Sequence, residues 1–338
     1  MGLSLLTLLA PGWSFSQGSQ YFTLSDVKAR PLAMGGAFTS VEDDLASIQY
    51  NPAALDLYQA DKSKRVTLFL NPVGLVVGGV RNKDIFNTGS YSLDDFLLTM
   101  GLLVKSVFVS LNAFDFGILL GEEGFFQPEA FANDDLFDVS GLQQNHAHSI
   151  VGRWKLADKI SIGGSASLLY GSDENDPAKS RRDVAVSYGI LLKPDKGLNV
   201  GVSFINLPDT LKDYRWPLER LVDESVNVGV SYKPFASMLL SLDVRNLGEE
   251  QNKAVREIHF GVEQVLFSHL ALRAGFFDKK EEGEYSLTWG VGLLDRNLFS
   301  NPDNGFAHRD YFLNYAFVLE KNVGDYTRWH FLSLLIRI

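Results

Sequence analysis

From Arg65 to the last residue, segment after segment alternates with a period of two, a pattern that only β-strands with two unlike faces sustain. Val184, Val186, Tyr188, Ile190 and Leu192 interleave with Ala185, Ser187 and Gly189. Val226, Val228, Val230 and Tyr232 interleave with Asn227, Gly229 and Ser231, and Tyr285, Leu287, Trp289, Val291 and Leu293 with Ser286, Thr288, Gly290 and Gly292. The second face decides the environment. A soluble sandwich or lipocalin-like barrel needs long charged side chains on its outer face, and these strands lack them. Small and polar residues suit a crowded barrel interior, with the large apolar face turned to lipid. The fold class expected is all-β, a transmembrane antiparallel β-barrel.

Connections between these strands are expected to alternate short and long. Short ones are 155–159, 194–197, 233–235 and 266–268; long ones are 171–181, 207–223, 247–255 and 278–284. Gly, Pro, Asp and Lys in the short set are turn formers or tolerate an interface. The count is about fourteen strands, an even number being expected for such a chain. Trp154, Tyr170, Tyr232 and Phe276 stand near strand ends, where aromatic side chains suit headgroup depth. The stretch from Asn82 to Gln144 parses least clearly. Ser92 to Asp95 has the form of a helix N-cap, and Phe96, Leu97, Met100 and Leu103 follow at helical spacing, although a strand also fits. Phe108–Leu120 reads as one strand and Gly121–Gln144 as a long acidic loop.

Composition removes several function classes. Cysteine is absent, which excludes disulfides, thiolate metal sites and a lipoprotein anchor. The formal charge of -10 comes with no basic run, so no nucleic-acid partner is expected. Beyond the extreme N-terminus no apolar stretch reaches the length of a spanning helix. Met1–Ala10 is apolar, and Ser14-Phe15-Ser16 has the form of an export cleavage site, so residues 1–16 read as a signal peptide. No basic residue precedes Lys28, and the true start is therefore expected upstream. Residues 17–64 form a separate N-terminal segment, and residues 65–338 the barrel.

That N-terminal segment contains Ala29-Arg30-Pro31-Leu32-Ala33-Met34-Gly35-Gly36-Ala37-Phe38, the acidic stretch Val41-Glu42-Asp43-Asp44, and Tyr50-Asn51-Pro52-Ala53-Ala54-Leu55. Together with Asn314-Tyr315-Ala316-Phe317, it resembles the FadL-like superfamily of outer-membrane transport proteins, with a closer look to its PorV-like and spirochaete-type branch. The resemblance implies a fourteen-stranded barrel whose lumen holds an N-terminal hatch carrying the Asn-Pro-Ala motif, here Asn51, Pro52 and Ala53. It also implies residence in the bacterial outer membrane and transport of hydrophobic or amphipathic molecules such as fatty acids. PorV-like members instead imply a barrel that docks a secretion or surface-complex partner. The superfamily's usual Asp before Tyr-Ala-Phe is Asn314 here.

The residues read physically as well. Gly35 and Gly36 allow close backbone packing, and Asn51 before Pro52 favours a turn, so Gly35, Gly36, Asn51, Pro52 and Ala53 either fold the plug or gate a route. Asp243, Arg245, Glu263 and Arg273 fall on the small inward face of successive strands, with His259 nearby. They form a lumen polar network, tying plug to wall or constricting a solute path. Phe125, Phe126 and Trp216 lie in long loops and are docking candidates for a protein partner at the extracellular side. Asp173-Glu174-Asn175-Asp176 lacks the glycine and spaced Glu of a calcium loop, and His146 with His148 supplies only two ligands. No metal, no cofactor and no catalytic residues are expected; nucleophile elbow, phosphate loop and zinc signature are all missing from the sequence. The partners expected are the lipid bilayer, an apolar or fatty-acid ligand, and a protein at the loops.

Overall fold

The computed structural model describes residues 20–23, 27–43, 45–57, 66–74, 93–123, 146–173, 176–206, 215–216, 219–220, 225–247, 249–250, 253–254, 256–267, 270–278, 284–295, 310–322 and 325–338. The chain opens with strand β1 (Gln20–Thr23), helices α1 (Ala29–Ala33) and α2 (Ser47–Tyr50), and a 3-10 turn at Pro52–Ala54. Next come β2 (Val66–Leu70), α3 (Leu93–Leu103), β3 (Val104–Leu111), β4 (Phe114–Glu123), β5 (His146–Ala157), β6 (Ile160–Asp173), β7 (Asp176–Asp195) and β8 (Leu198–Asn206). Two-residue ladders β9 (Arg215–Trp216) with β10 (Glu219–Arg220), and β13 (Glu249–Glu250) with β14 (Lys253–Ala254), lie in connections. The remaining strands are β11 (Ser225–Phe235), β12 (Met238–Arg245), β15 (Glu257–Leu266), β16 (Leu270–Asp278), β17 (Tyr285–Asp295), β18 (Asp310–Asn322) and β19 (Asp325–Arg337).

Fourteen strands close one antiparallel ring, in the order β2 to β8, β11, β12 and β15 to β19, with β19 returning to β2. Alternation then fixes the environment of each face. Val184, Tyr188, Leu242 and Trp289 are 56%, 53%, 48% and 46% exposed, while Ser203, Ser241, Asp243, His259 and Ser286 are buried. Apolar side chains outside and polar ones inside invert a soluble protein and identify a transmembrane barrel.

The wall is uneven. β19 meets β2 over a short stretch at its end, Ile336 with Leu70 and Arg337 with Phe69, and beyond them Leu68 and Ile338 exchange both backbone hydrogen bonds, at 3.0 and 2.9 Å. Higher on β19, the edge is taken by β1, which runs parallel to it from Gln20 opposite Arg328 to Thr23 opposite Phe331. A parallel strand in an antiparallel ring was not foreseen from the sequence. β3 begins only at Val104, so α3 takes the position beside the far half of β4.

Several expectations change. Phe108–Leu120 is a hairpin rather than one strand: Asn112-Ala113 turns the chain, with Asn112 at φ 52, a left-handed conformation that Asn tolerates better than most residues. The stretch 171–181 is no long loop. Pairs such as Gly171 with Arg181 and Ser172 with Ser180 extend the β6–β7 ladder through it. Residues 93–103 are helical, and β4 continues to Glu123.

Candidate functional site

Residues 27–57 lie against the buried face of the ring. α1 packs on β16, β17, β18 and β19, while the 3-10 turn packs on β5, β6 and β7. After α1 the chain turns sharply: Gly36 donates to Pro31 O at 2.8 Å, with Gly35 and Gly36 at φ 64 and 71. A Cβ at Gly35 would also stand 2.7 Å from Phe260 O and 2.8 Å from Phe276 N. Glycine is required there twice over, for torsion and for approach. The Asn51 Oδ1 accepts from Ala53 N at 3.0 Å, while its Nδ2 donates to Thr39 O at 2.8 Å and Ile190 O at 3.2 Å. One side chain thus caps the 3-10 turn, braces the segment and fastens it to β7. Pro52 sits at the first position of that turn, where no donor is needed. The Ala53 carbonyl accepts Ser161 Oγ at 2.8 Å.

The wall beneath the segment is stripped of side chains. Gly163 faces Pro52 and Ala53, Gly189 faces Asn51, Gly201 faces Thr39, Gly261 faces Met34, Gly275 faces Gly35, and Gly290 faces Ala33. The small face of the sequence is a track on which the inner backbone lies directly.

Charge fixes the segment along that track. Asp243 Oδ2 accepts the amides of Phe38 and Thr39, each at 2.8 Å. Arg245 donates through Nη2 to Gly36 O, and its guanidinium lies 4.8 Å from the Tyr50 ring. His259 Nδ1 is 2.7 Å from Gly35 O, so that nitrogen carries the proton, and the ring stacks on Phe277 at 4.0 Å. Arg273 Nε donates to Glu263 Oε2 at 2.6 Å, and Arg273 Nη1 to Asn314 Oδ1 at 2.8 Å. Asn314 thereby acquires a role as the neutral acceptor behind the Arg273–Glu263 pair. Arg30, which the sequence reading passed over, donates twice to Glu263 and pairs with Asp43 at 3.2 Å. Nothing in the sequence pointed to it, since the two carboxylates and two arginines assigned to the inner face already balance in charge.

A second polar group lies where the wall is uneven. β4 carries a bulge between Leu119 and Glu122, with Gly121 at φ 57. Buried Lys105 pairs with Glu122 and donates to Gly121 O at 2.7 Å, while Gly121 N donates to His148 Nδ1 at 3.1 Å. His146 stacks on Tyr170 at 5.0 Å, with His148 edge-on to the same ring and Arg182 over it at 5.4 Å. α3 rests on the bulge: a Cβ at Gly101 would stand 2.8 Å from Leu120 O. Leu98 and Leu102 of that helix are buried, whereas Leu93 and Phe96 are 73% and 52% exposed.

Phe125 and Phe126 lie outside the described residues, as do Glu174 and Asn175; Trp216 is placed in β9 opposite Glu219, with its side chain undescribed. Among the described residues no group of three or more His, Cys, Asp or Glu could hold a metal ion.

Neither a family model nor a curated protein matches the chain. Solved structures do. A CymD monoaromatic hydrocarbon channel is 11% identical with a TM-score of 0.49, covering 94% of this chain and 96% of its own. The Ralstonia pickettii toluene transporter TbuX is 11% identical at a TM-score of 0.47, over 93% and 97%. A Pseudomonas aeruginosa FadL homologue is 11% identical at 0.45, over 95% and 97%.

Proposed function

We propose that this chain is a bacterial outer-membrane barrel of FadL-like type that moves hydrophobic or amphipathic small molecules, fatty acids among them, through an opening in its wall. Residues 17–64 act as its hatch, and Gly35, Gly36, Asn51, Pro52 and Ala53 form the hinge and fastening of that hatch. Asp243, Arg245, His259, Glu263 and Arg273 hold it shut.

The observation that carries this reading is the breach between β19 and β4. There the described pairing of β19 with β2 is confined to residues 336–338 against 68–70, β4 is bulged, and a helix with apolar residues on both sides takes a place beside the wall. A molecule dissolved in the membrane meets exposed Leu93 and Phe96 of α3 at that place, while the buried inner segment obstructs the axis. The membership of a PorV-like branch, and a docking role without transport, are favoured instead by the depth to which residues 29–55 are buried.

One experiment separates the two. The chain has no cysteine, so Phe22→Cys with His330→Cys, register partners on β1 and β19, gives a clean reversible lock. Uptake of toluene and of palmitate into proteoliposomes should stop on oxidation and return on reduction. Uptake unchanged by the lock sinks the lateral route, and no uptake in either state favours docking.

A further inference from the structure

The short-turn end of the barrel holds a charge pattern that the transport reading does not use. Four successive hairpins are stitched to their neighbours by one equivalent amide each: Lys155 N to Ala113 O, Lys193 N to Lys159 O, Lys233 N to Gly197 O, and Val265 N to Ser237 O. Three of these four equivalent positions are lysine, in a chain of net charge -10. Each lysine stands two residues beyond a buried residue, Arg153, Leu191 and Ser231, where the ladders become irregular at the end of the ring. They therefore line the rim of the mouth as an arc. The hydrogen-bonded order β5-β6-β7-β8-β11 puts Lys193 two strands from Lys155 on one side and two from Lys233 on the other, a spacing of about 10 Å at each step.

Lys155 and Lys233 are exposed, and Lys193 is held by Glu42 of the inner segment. A carboxylate delivered by a loop is thus already seated on the central lysine. Phe235, on the hairpin of Lys233, and Phe267, on the next hairpin, are 68% and 88% exposed. Phe267 stands at φ 52, a conformation unusual for a bulky side chain. The two turns are joined by the Val265–Ser237 bond of 2.7 Å, so the rings flank one surface.

We propose that this arc is a docking surface for an acidic, apolar-bearing protein segment, and that Glu42 is the internal stand-in for its carboxylates. Lysines spaced across three hairpins match a string of carboxylates, and the two Phe rings take its apolar residues. Charge complementarity selects the partner, and the Glu42–Lys193 pair shows the geometry by which one carboxylate is taken. Docking competes with Glu42, so the partner loosens the segment that Glu42 tethers. The surface is at the opposite end of the ring from Glu123 and His146, where β4 ends and β5 begins.

The test uses the full chain in non-ionic detergent and a fluorescein-labelled peptide alternating glutamate with leucine, read by anisotropy. Binding should fall with salt, and Lys155→Gln with Lys233→Gln should weaken it by about tenfold. Lys155→Arg with Lys233→Arg should restore it, and an unheated gel shift confirms that each barrel is folded. Glu42→Gln should tighten binding several-fold, because Lys193 is released, whereas Phe267→Ser should weaken it. Equal binding by the glutamine pair, or no gain in Glu42→Gln, overturns the proposal. Displacement of the peptide by phosphatidylglycerol but not phosphatidylcholine reassigns the arc to lipid headgroups and also overturns it.

Discussion

Arg30 of the inner segment grips Glu263 of the wall with both edges of its guanidinium, Nε to Oε2 at 2.9 Å and Nη2 to Oε1 at 2.7 Å. The same carboxylate holds Arg273, so one acid pairs with two cations. The two ends of the pair are unequal. Arg30 is 21% exposed at its side chain and also has Asp43, whereas Glu263 is 8% exposed. Glu263→Gln should therefore cost about 3–5 kcal/mol, taking the carboxylate from buried Arg273, and Arg30→Ala only about 1 kcal/mol. Urea unfolding of the detergent-solubilised barrel measures both, and the reverse order would contradict the network drawn here.

A glycine on the track should behave unlike a glycine off it. At Gly275 an added Cβ collides with Gly35 N and Met34 C, both backbone, whereas at Gly164 it meets Ser187 O at an ordinary 3.7 Å. Gly275→Ala should destabilise by about 1–3 kcal/mol and lift the segment, raising ion leak in planar bilayers. Gly164→Ala should stay within about 0.5 kcal/mol and leave conductance unchanged. Equal leak from the two would mean that the segment does not rest on Gly275.

Glycines such as these also show what was legible in the sequence. The small face of the strands was plain at Gly189, Gly229 and Gly290, and so was a ring with apolar residues outward. Period two reports which face a residue is on, but not its height or its neighbour two strands away. Asp243 and Glu263 could be set on the inner face, yet their partners, the Phe38 amide and Arg30, lie more than 200 residues off. Asn112 hid its turn because Asn-Ala is a weak turn signal, and the Phe108–Leu120 run stayed apolar through it. β1 could not be foreseen at all: four residues cannot show a period, and parallel pairing to β19 depends on β2 being short.

Asn51 offers a test of one side chain with three bonds. Asn51→Ala removes the acceptor for Ala53 N and both donors, to Thr39 O and Ile190 O, at a position with no exposure. About 1–3 kcal/mol should be lost, since buried backbone carbonyls are left without partners. Asn51→Asp keeps the acceptor but sets a charge against two carbonyl oxygens, and it should be the worse of the two. Protease nicking within residues 27–57 should rise in the same order. Greater nicking in the alanine variant would place the burden on the acceptor alone.

The Lys105–Glu122 pair under α3 is fully buried, at 1% side-chain exposure on each partner. A buried pair in the wall is dear to break on one side and cheap to replace on both. Lys105→Met should cost about 3–5 kcal/mol by leaving Glu122 charged beside the bulge, and Lys105→Met with Glu122→Gln should recover a large part of it. The readout that separates a wall brace from a gate is uptake in the stable double variant. If α3 is only packed on the bulge, restoring stability restores the wild-type rate for both toluene and palmitate. If the pair sets how readily α3 lifts from Leu120, the double variant takes up both probes faster even at its restored stability, because the bulge on which α3 rests has lost its brace.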